Sequence, residues 1–170
     1  MDEPATHPAA DIAAAWKREL PGVPTESIAV VTPLWRLAKL LADDRRRVLA
    51  RAGVDAATVD LLNTLRRSGA PYTLSTRQLG QRTLVTAGAI SQRVARAERE
   101  GLVRRRRPDE GGRTVLVELT DAGHALAEST VEKMLSRESE LLSGLAPGRR
   151  DELASLLDVL LDDVRRRLQS

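Results

Sequence analysis

Apolar residues recur along most of this chain at helical spacing, and one short block near residue 105 alternates instead. Residues 9 to about 20 read as a short helix closed by Pro21-Gly22. After it, Ile28, Val31, Leu34, Leu37, Leu41 and Val48 keep one face of a long helix until Gly53. Its start admits two readings. A helix capped by Thr25 or Ser27 takes Pro33 inside and kinks there, whereas a helix capped by Thr32 has Pro33 at its first position, where the missing N–H does no harm. A second helix from Asp55 carries Val59, Leu61, Leu62 and Leu65 and stops near Ser68-Gly69, because Pro71 cannot continue it. "STRQLGQRT" opens with a serine cap, Ser75, and has Gln78 three residues on, the reciprocal capping arrangement. Thr83 to Thr86 make a turn, Thr86 caps a helix from Ala87 to about Glu100, and Gly101 ends it.

The period then changes. "LVRRRR" and "TVLVEL" read as two strands around "PDEGG", where Gly111 and Gly112 permit a tight hairpin. Thr120 or Asp121 caps a long helix to about Ser143, and Pro147 opens a last one that sets Leu153, Leu156, Leu157, Leu160, Leu161, Val164 and Leu168 on one broad face. The predicted fold is mainly α with a small β-hairpin. Residues 55–119 follow the order of a winged helix-turn-helix, helix, helix, helix, hairpin. Residues 1–23 are an N-terminal extension with an added helix. The helices of 24–54 and 120–170 have apolar surface that the central block does not use, which points to a homodimer joined through them rather than to packing within one subunit.

Charge sharpens this picture locally. The net charge of the 170 residues is only +3, yet Arg93 to Arg113 hold eight arginines against four acids, an excess larger than that of the whole chain. Such an excess on a helix and hairpin suits a polyanion. Aromatic residues are 2% of the chain and phenylalanine is absent, so stacking platforms for single strands are disfavoured and duplex DNA is the expected partner. There is no cysteine, which excludes disulfides and thiolate chemistry. His7 in the N-terminal tail and His124 on a helix make neither a catalytic triad nor a metal cluster, so no enzyme, metal or cofactor is expected. The N-terminus lacks a basic signal region and no run reaches the ~18 apolar residues of a membrane span, so a cytoplasmic location is expected.

Helix 87–100 is the candidate reader of bases. With Ile90, Val94 and Ala97 toward the core, its other side offers Ser91, Gln92, Arg96 and Arg99. Gln pairs bidentately with adenine and Arg with guanine in the major groove. Thr86 at the start of this helix and Arg107 and Arg113 in the wing complete the expected DNA contacts. Arginines 104 to 107 alternate sides of a strand, so those near the tip reach toward phosphates or the minor groove. Arg113 faces Asp109 across the turn, either as a minor-groove probe steadied by that acid or as a turn salt bridge.

The stretch "TLSTRQLGQRTLVTAGAISQRVARAEREGLVRRRRPDEGGRTVLVELTDAG" resembles the MarR family of bacterial transcriptional regulators, and the likeness extends over roughly residues 25 to 168. The resemblance implies a dimer that binds pseudo-palindromic DNA and represses nearby genes until a small ligand releases it. Ala97, where a Leu is common, and the Gly-Gly wing tip depart from the family pattern. A narrower likeness, carried by "AAAWKRELPG" and by Asp60 in "TVDLLNTLRRSG", is to the urate-responsive subgroup. It implies a site for a small anionic metabolite made by Trp16, Asp60, Arg93 and Arg105. Taken singly, Trp16 is also a plain hydrophobic anchor, Asp60 a helix cap or surface pair, and the two arginines phosphate contacts. Tricarboxylates such as citrate suit two arginines as well as urate does. The readings left beside a ligand-released repressor are an architectural DNA-binding protein without an effector and a helical adaptor for a protein partner.

Overall fold

The computed structural model describes residues 7–107 and 114–169. They form two compact units that divide at Ala56. In the first, α1 (Ala9–Glu19) lies against α2 (Ile28–Arg51). Leu20 closes α1 by donating its N–H to the Trp16 carbonyl at 2.9 Å, and Pro21 and Gly22 follow. Of the two starts open to the long helix, the protein adopts the earlier. Val31 N–H donates to the Ser27 carbonyl at 2.8 Å, and the helix passes through Pro33. Pro33 comes soon after the start, so the helix forgoes one bond, that to the Ala29 carbonyl. Val30, Val31, Trp35, Leu37, Leu40 and Leu41 of α2 remain exposed.

The second unit contains α3 (Ala56–Arg66), β1 (Thr73–Ser75), α4 (Thr76–Thr83), α5 (Ala87–Arg99), β2 (Val103–Arg106), β3 (Leu116–Leu119), α6 (Asp121–Leu141) and α7 (Pro147–Gln169). Its core joins Leu61, Leu62 and Leu65 of α3 to Leu79 of α4, to the inner face of α5, and to Val103 and Val117 of the sheet. The expected pairing of β2 with β3 is present, and β1 joins it as a third strand in the order β1-β3-β2. β1 pairs antiparallel with β3 through Thr73↔Glu118, Leu74↔Val117 and Ser75↔Leu116, which buries Leu74 and anchors the start of α4 to the wing. Three residues are too few to show alternation, so β1 exists because β3 supplies its partners.

One junction fixes the wing to α6. Gly101, at φ +72°, ends α5 with its N–H on the Glu98 carbonyl at 3.0 Å, and Leu102 N–H reaches the Ala97 carbonyl at 2.9 Å, the paired bonds of a Schellman stop. Thr120 then binds both segments. Its hydroxyl donates to the Gly101 carbonyl at 2.7 Å and accepts from Gly123 N–H at 3.1 Å, while its own N–H donates to the Leu102 carbonyl at 3.1 Å. Gly123 must be glycine because a Cβ there would stand 2.0 Å from the Leu102 oxygen. "EGL" and "LTDAG" are thus two halves of one contact. Nearby, Arg66 of α3 bonds Glu128 of α6 at 2.6 Å and lies 4.7 Å from the Tyr72 ring centroid. Glu128 first, and Tyr72 after it, push the Arg66 guanidinium pKa up.

α7 buries none of its residues, and Leu153, Leu156, Leu157, Leu160, Leu161, Val164 and Leu168 are all exposed. No helix among the described residues is long and apolar enough to cross a membrane.

Candidate nucleic-acid interface

The helix pair is set by local chemistry. Ser75 Oγ accepts from Gln78 N–H at 3.2 Å and Gln78 Oε1 accepts from Ser75 N–H at 2.8 Å, so two of the unpaired donors at the start of α4 are satisfied reciprocally. α4 ends at Leu84, whose backbone is left-handed, and the chain turns into Thr86. Thr86 Oγ1 accepts from Ala89 N–H at 3.3 Å and caps α5. Ile90, Val94 and Ala97 are fully buried. Since side chains advance about 100° per residue, Gly88, Gln92, Arg96 and Arg99 point away from the core, with Ser91 on one flank. Arg96 donates to Glu100 at 2.9 Å, but both side chains are largely exposed, and such a pair contributes about 0–1 kcal/mol.

The wing arginines divide into two kinds. Arg104 pairs with Glu118 across the β2–β3 ladder. Arg105 folds back on α5, with 3.5 Å to Glu98 and a 3.4 Å bond to the Ser91 carbonyl. All four arginines from 104 to 107 are exposed, so their alternation separates partners rather than burying any of them. The side chains of Arg106 and Arg107 are exposed and make no ion pair or hydrogen bond among the described residues. Asp109 and Arg113 lie outside the described residues. Beside α5, Arg77 and Gln81 of α4 and Leu84 line an open groove with Thr86 and Ser91. The sequence reading passed over these three, although "TRQLGQRT" has a polar side opposite buried Leu79.

This sequence and fold have known relatives. A family model described as the MarR family matches residues 52–114. Over 147 residues the chain is 31% identical to the HTH-type transcriptional regulator PecS of Dickeya dadantii (strain 3937), across 86% of this chain and 89% of that protein. The chain belongs to the MarR family. Its fold matches that of a MarR mutant from E. coli complexed with operator DNA, with a TM-score of 0.63 and 25% identity over 77% of this chain and 95% of that one. It also matches AbsC, a MarR family transcriptional regulator from Streptomyces coelicolor, with a TM-score of 0.71 and 22% identity over 84% and 96%. This MarR-family chain is a DNA-binding transcriptional regulator, and the relatives it matches are regulators rather than enzymes.

The residues suggested for a ligand in this MarR-family protein fall in both units. Trp16 is half exposed on α1 of the first. Asp60 is half-buried on α3 of the second, and its carbonyl accepts from Thr64 Oγ1 at 2.7 Å. One turn on, Asn63 Oδ1 is buried with no hydrogen-bond partner among the described residues. Arg93 is half-buried on α5, and its side chain makes no ion pair or hydrogen bond among the described residues. Arg105 is held by Glu98 and the Ser91 carbonyl, both on the opposite flank of α5, about 140° and 160° around the axis from Arg93. The two arginines do not converge as they stand.

Proposed function

We propose that the protein is a homodimeric repressor that binds a palindromic operator and is released from it by a small anionic metabolite. The DNA reading rests above all on the outward side of α5, where Gln92, Arg96 and Arg99 stand clear of the core, together with the exposed wing arginines Arg106 and Arg107. A two-fold dimer presents two such helices about 34 Å apart, so the half-sites are spaced by about one helical turn. The dimer reading is supported by the exposed apolar stripes of α2 and α7, which belong to the 24–52 and 146–168 segments.

The metabolite is urate or a related purine. Arg93, which has no partner to exchange, supplies the charge-assisted bond, Asp60 orients the ring, and buried Asn63 Oδ1 accepts one of its N–H groups. Arg105 joins only by leaving Glu98, with which it forms a partly exposed pair at 3.5 Å. Trp16 is the further residue to substitute. Release requires that the ligand favour one state over the other, and an anion drawn to Arg93 yet repelled by Asp60 shifts α5 relative to α3.

The test starts from a duplex selected by the wild-type protein out of random DNA. Urate, xanthine, citrate and aconitate are titrated against that complex, for the parent and for Trp16→Ala, Asp60→Asn and Arg93→Ala. Release by urate or xanthine in the parent, weakened at least tenfold in Arg93→Ala and altered in Asp60→Asn, supports the site. Release by citrate or aconitate alone replaces the purine with a tricarboxylate, and no release by any of them leaves a DNA-binding protein without these effectors. Equal release from parent and variants removes the site.

A further inference from the structure

The turn between α4 and α5 holds a side chain that the fold does not use. Leu84 is 92% exposed, more than any other large apolar residue among those described, so none of the described residues covers it. It also occupies a left-handed backbone, φ 55° and ψ 36°, which L side chains rarely adopt and which glycine or asparagine takes more readily. The other large exposed apolar residues described in the second unit lie on α6 and α7 or at the C-cap of α6, in the α7 stripe above all. Leu84 stands apart from them, two residues before the cap of the recognition helix.

Its surroundings define an occupant. Leu84 shares the groove at the start of α5 with Arg77, Gln81, Thr86 and Ser91. Among the described residues the only ionisable one lining that groove is Arg77, whose side chain makes no ion pair or hydrogen bond with any of them. A fitting partner therefore combines negative charge, hydrogen-bonding edges and a small apolar surface. Duplex DNA offers all three where a helix enters the major groove: phosphates, base edges, and either a thymine methyl group or the deoxyribose beside a phosphate. We propose that Leu84 is a DNA contact, its isobutyl group covering a thymine methyl or deoxyribose at the place where α5 enters the groove. This rests on the reading that α5 is the helix that docks in the major groove.

The test uses the full chain and the duplex that the wild-type protein selects from random DNA. Leu84→Asn accepts the left-handed turn without glycine's added freedom, Leu84→Gly relieves the backbone outright, and Leu84→Met keeps an apolar side chain. The Asn and Gly variants should melt at the wild-type temperature or above and bind the selected duplex about tenfold more weakly, the effect of removing one base interaction. Leu84→Met should retain affinity. The salt dependence should not change in any of the three, because every phosphate stays neutralised as before. Uracil substituted for thymine, one position at a time, separates the two apolar targets. Weaker binding at one position per half-site in wild type, absent in Leu84→Asn, identifies the methyl group, and weaker binding at no position identifies deoxyribose. Wild-type affinity in both Leu84→Asn and Leu84→Gly would overturn the proposal while leaving the operator reading intact. Failure of the wild-type protein to select any duplex would overturn both.

Discussion

Replacing Gly123 with alanine should destabilise the protein by about 2–4 kcal/mol, although alanine is the better helix former. Two effects oppose each other at this position, the third of α6. Helix propensity favours alanine by at most about 1 kcal/mol. Against it, the new Cβ would stand 2.0 Å from the Leu102 oxygen, 3.0 Å from its carbonyl carbon and 3.2 Å from a Leu119 methyl, where ordinary contact begins near 3.4 Å. The Leu102 carbonyl must retreat by more than 1 Å, and it is the acceptor for Thr120 N–H. That motion costs about 1 kcal/mol for the backbone bond, about 1 for the Thr120 cap on Gly123 N–H, and about 1–3 for overpacking. Subtracting the propensity gain leaves about 2–4 kcal/mol. Urea unfolding followed by circular dichroism at one protein concentration should show a lower midpoint at unchanged slope. Gly88 on α5 is the control, since its Cβ would meet nothing within 4 Å and Gly88→Ala should be neutral or stabilising. A Gly123→Ala protein as stable as wild type would refute the reasoning, because the Gly101–Leu102 turn would then be free to move.

Arg106→Ala and Arg107→Ala should weaken binding to all duplexes alike and lower the slope of log affinity against log salt by about 0.9 for each phosphate no longer neutralised, measured by fluorescence anisotropy. An unchanged slope would remove those arginines from the DNA backbone. Gln92→Ala should instead relax sequence choice at a position in each half-site, with a penalty of about 1–3 kcal/mol against the selected duplex and little against random DNA. Leu157→Asp or Leu160→Asp places a charge in the exposed stripe of α7 and should turn a dimer into a monomer that no longer binds the operator, as read by light scattering and gel shift. A dimeric variant would point to another interface.

Much of the second unit is legible from single stretches because a helix start or stop depends on side chains within four residues of the backbone they serve. Ser75 with Gln78, Thr86, Gly101 and Thr120 each act in the structure at the place where sequence spacing puts them. Periodicity likewise names Ile90, Val94 and Ala97 as the inner side of α5, and so leaves Gln92 and Arg96 outside. β1 escapes that reading, being a strand only by virtue of Val117 and its neighbours more than forty residues on. The same holds for the arginines of the wing. Composition shows that they cluster, but Glu118 across the ladder and Glu98 on α5 decide that Arg104 and Arg105 are occupied while Arg106 and Arg107 are not. Pairing between distant segments follows from which backbones the packed core brings together, and no local pattern of residues contains that choice.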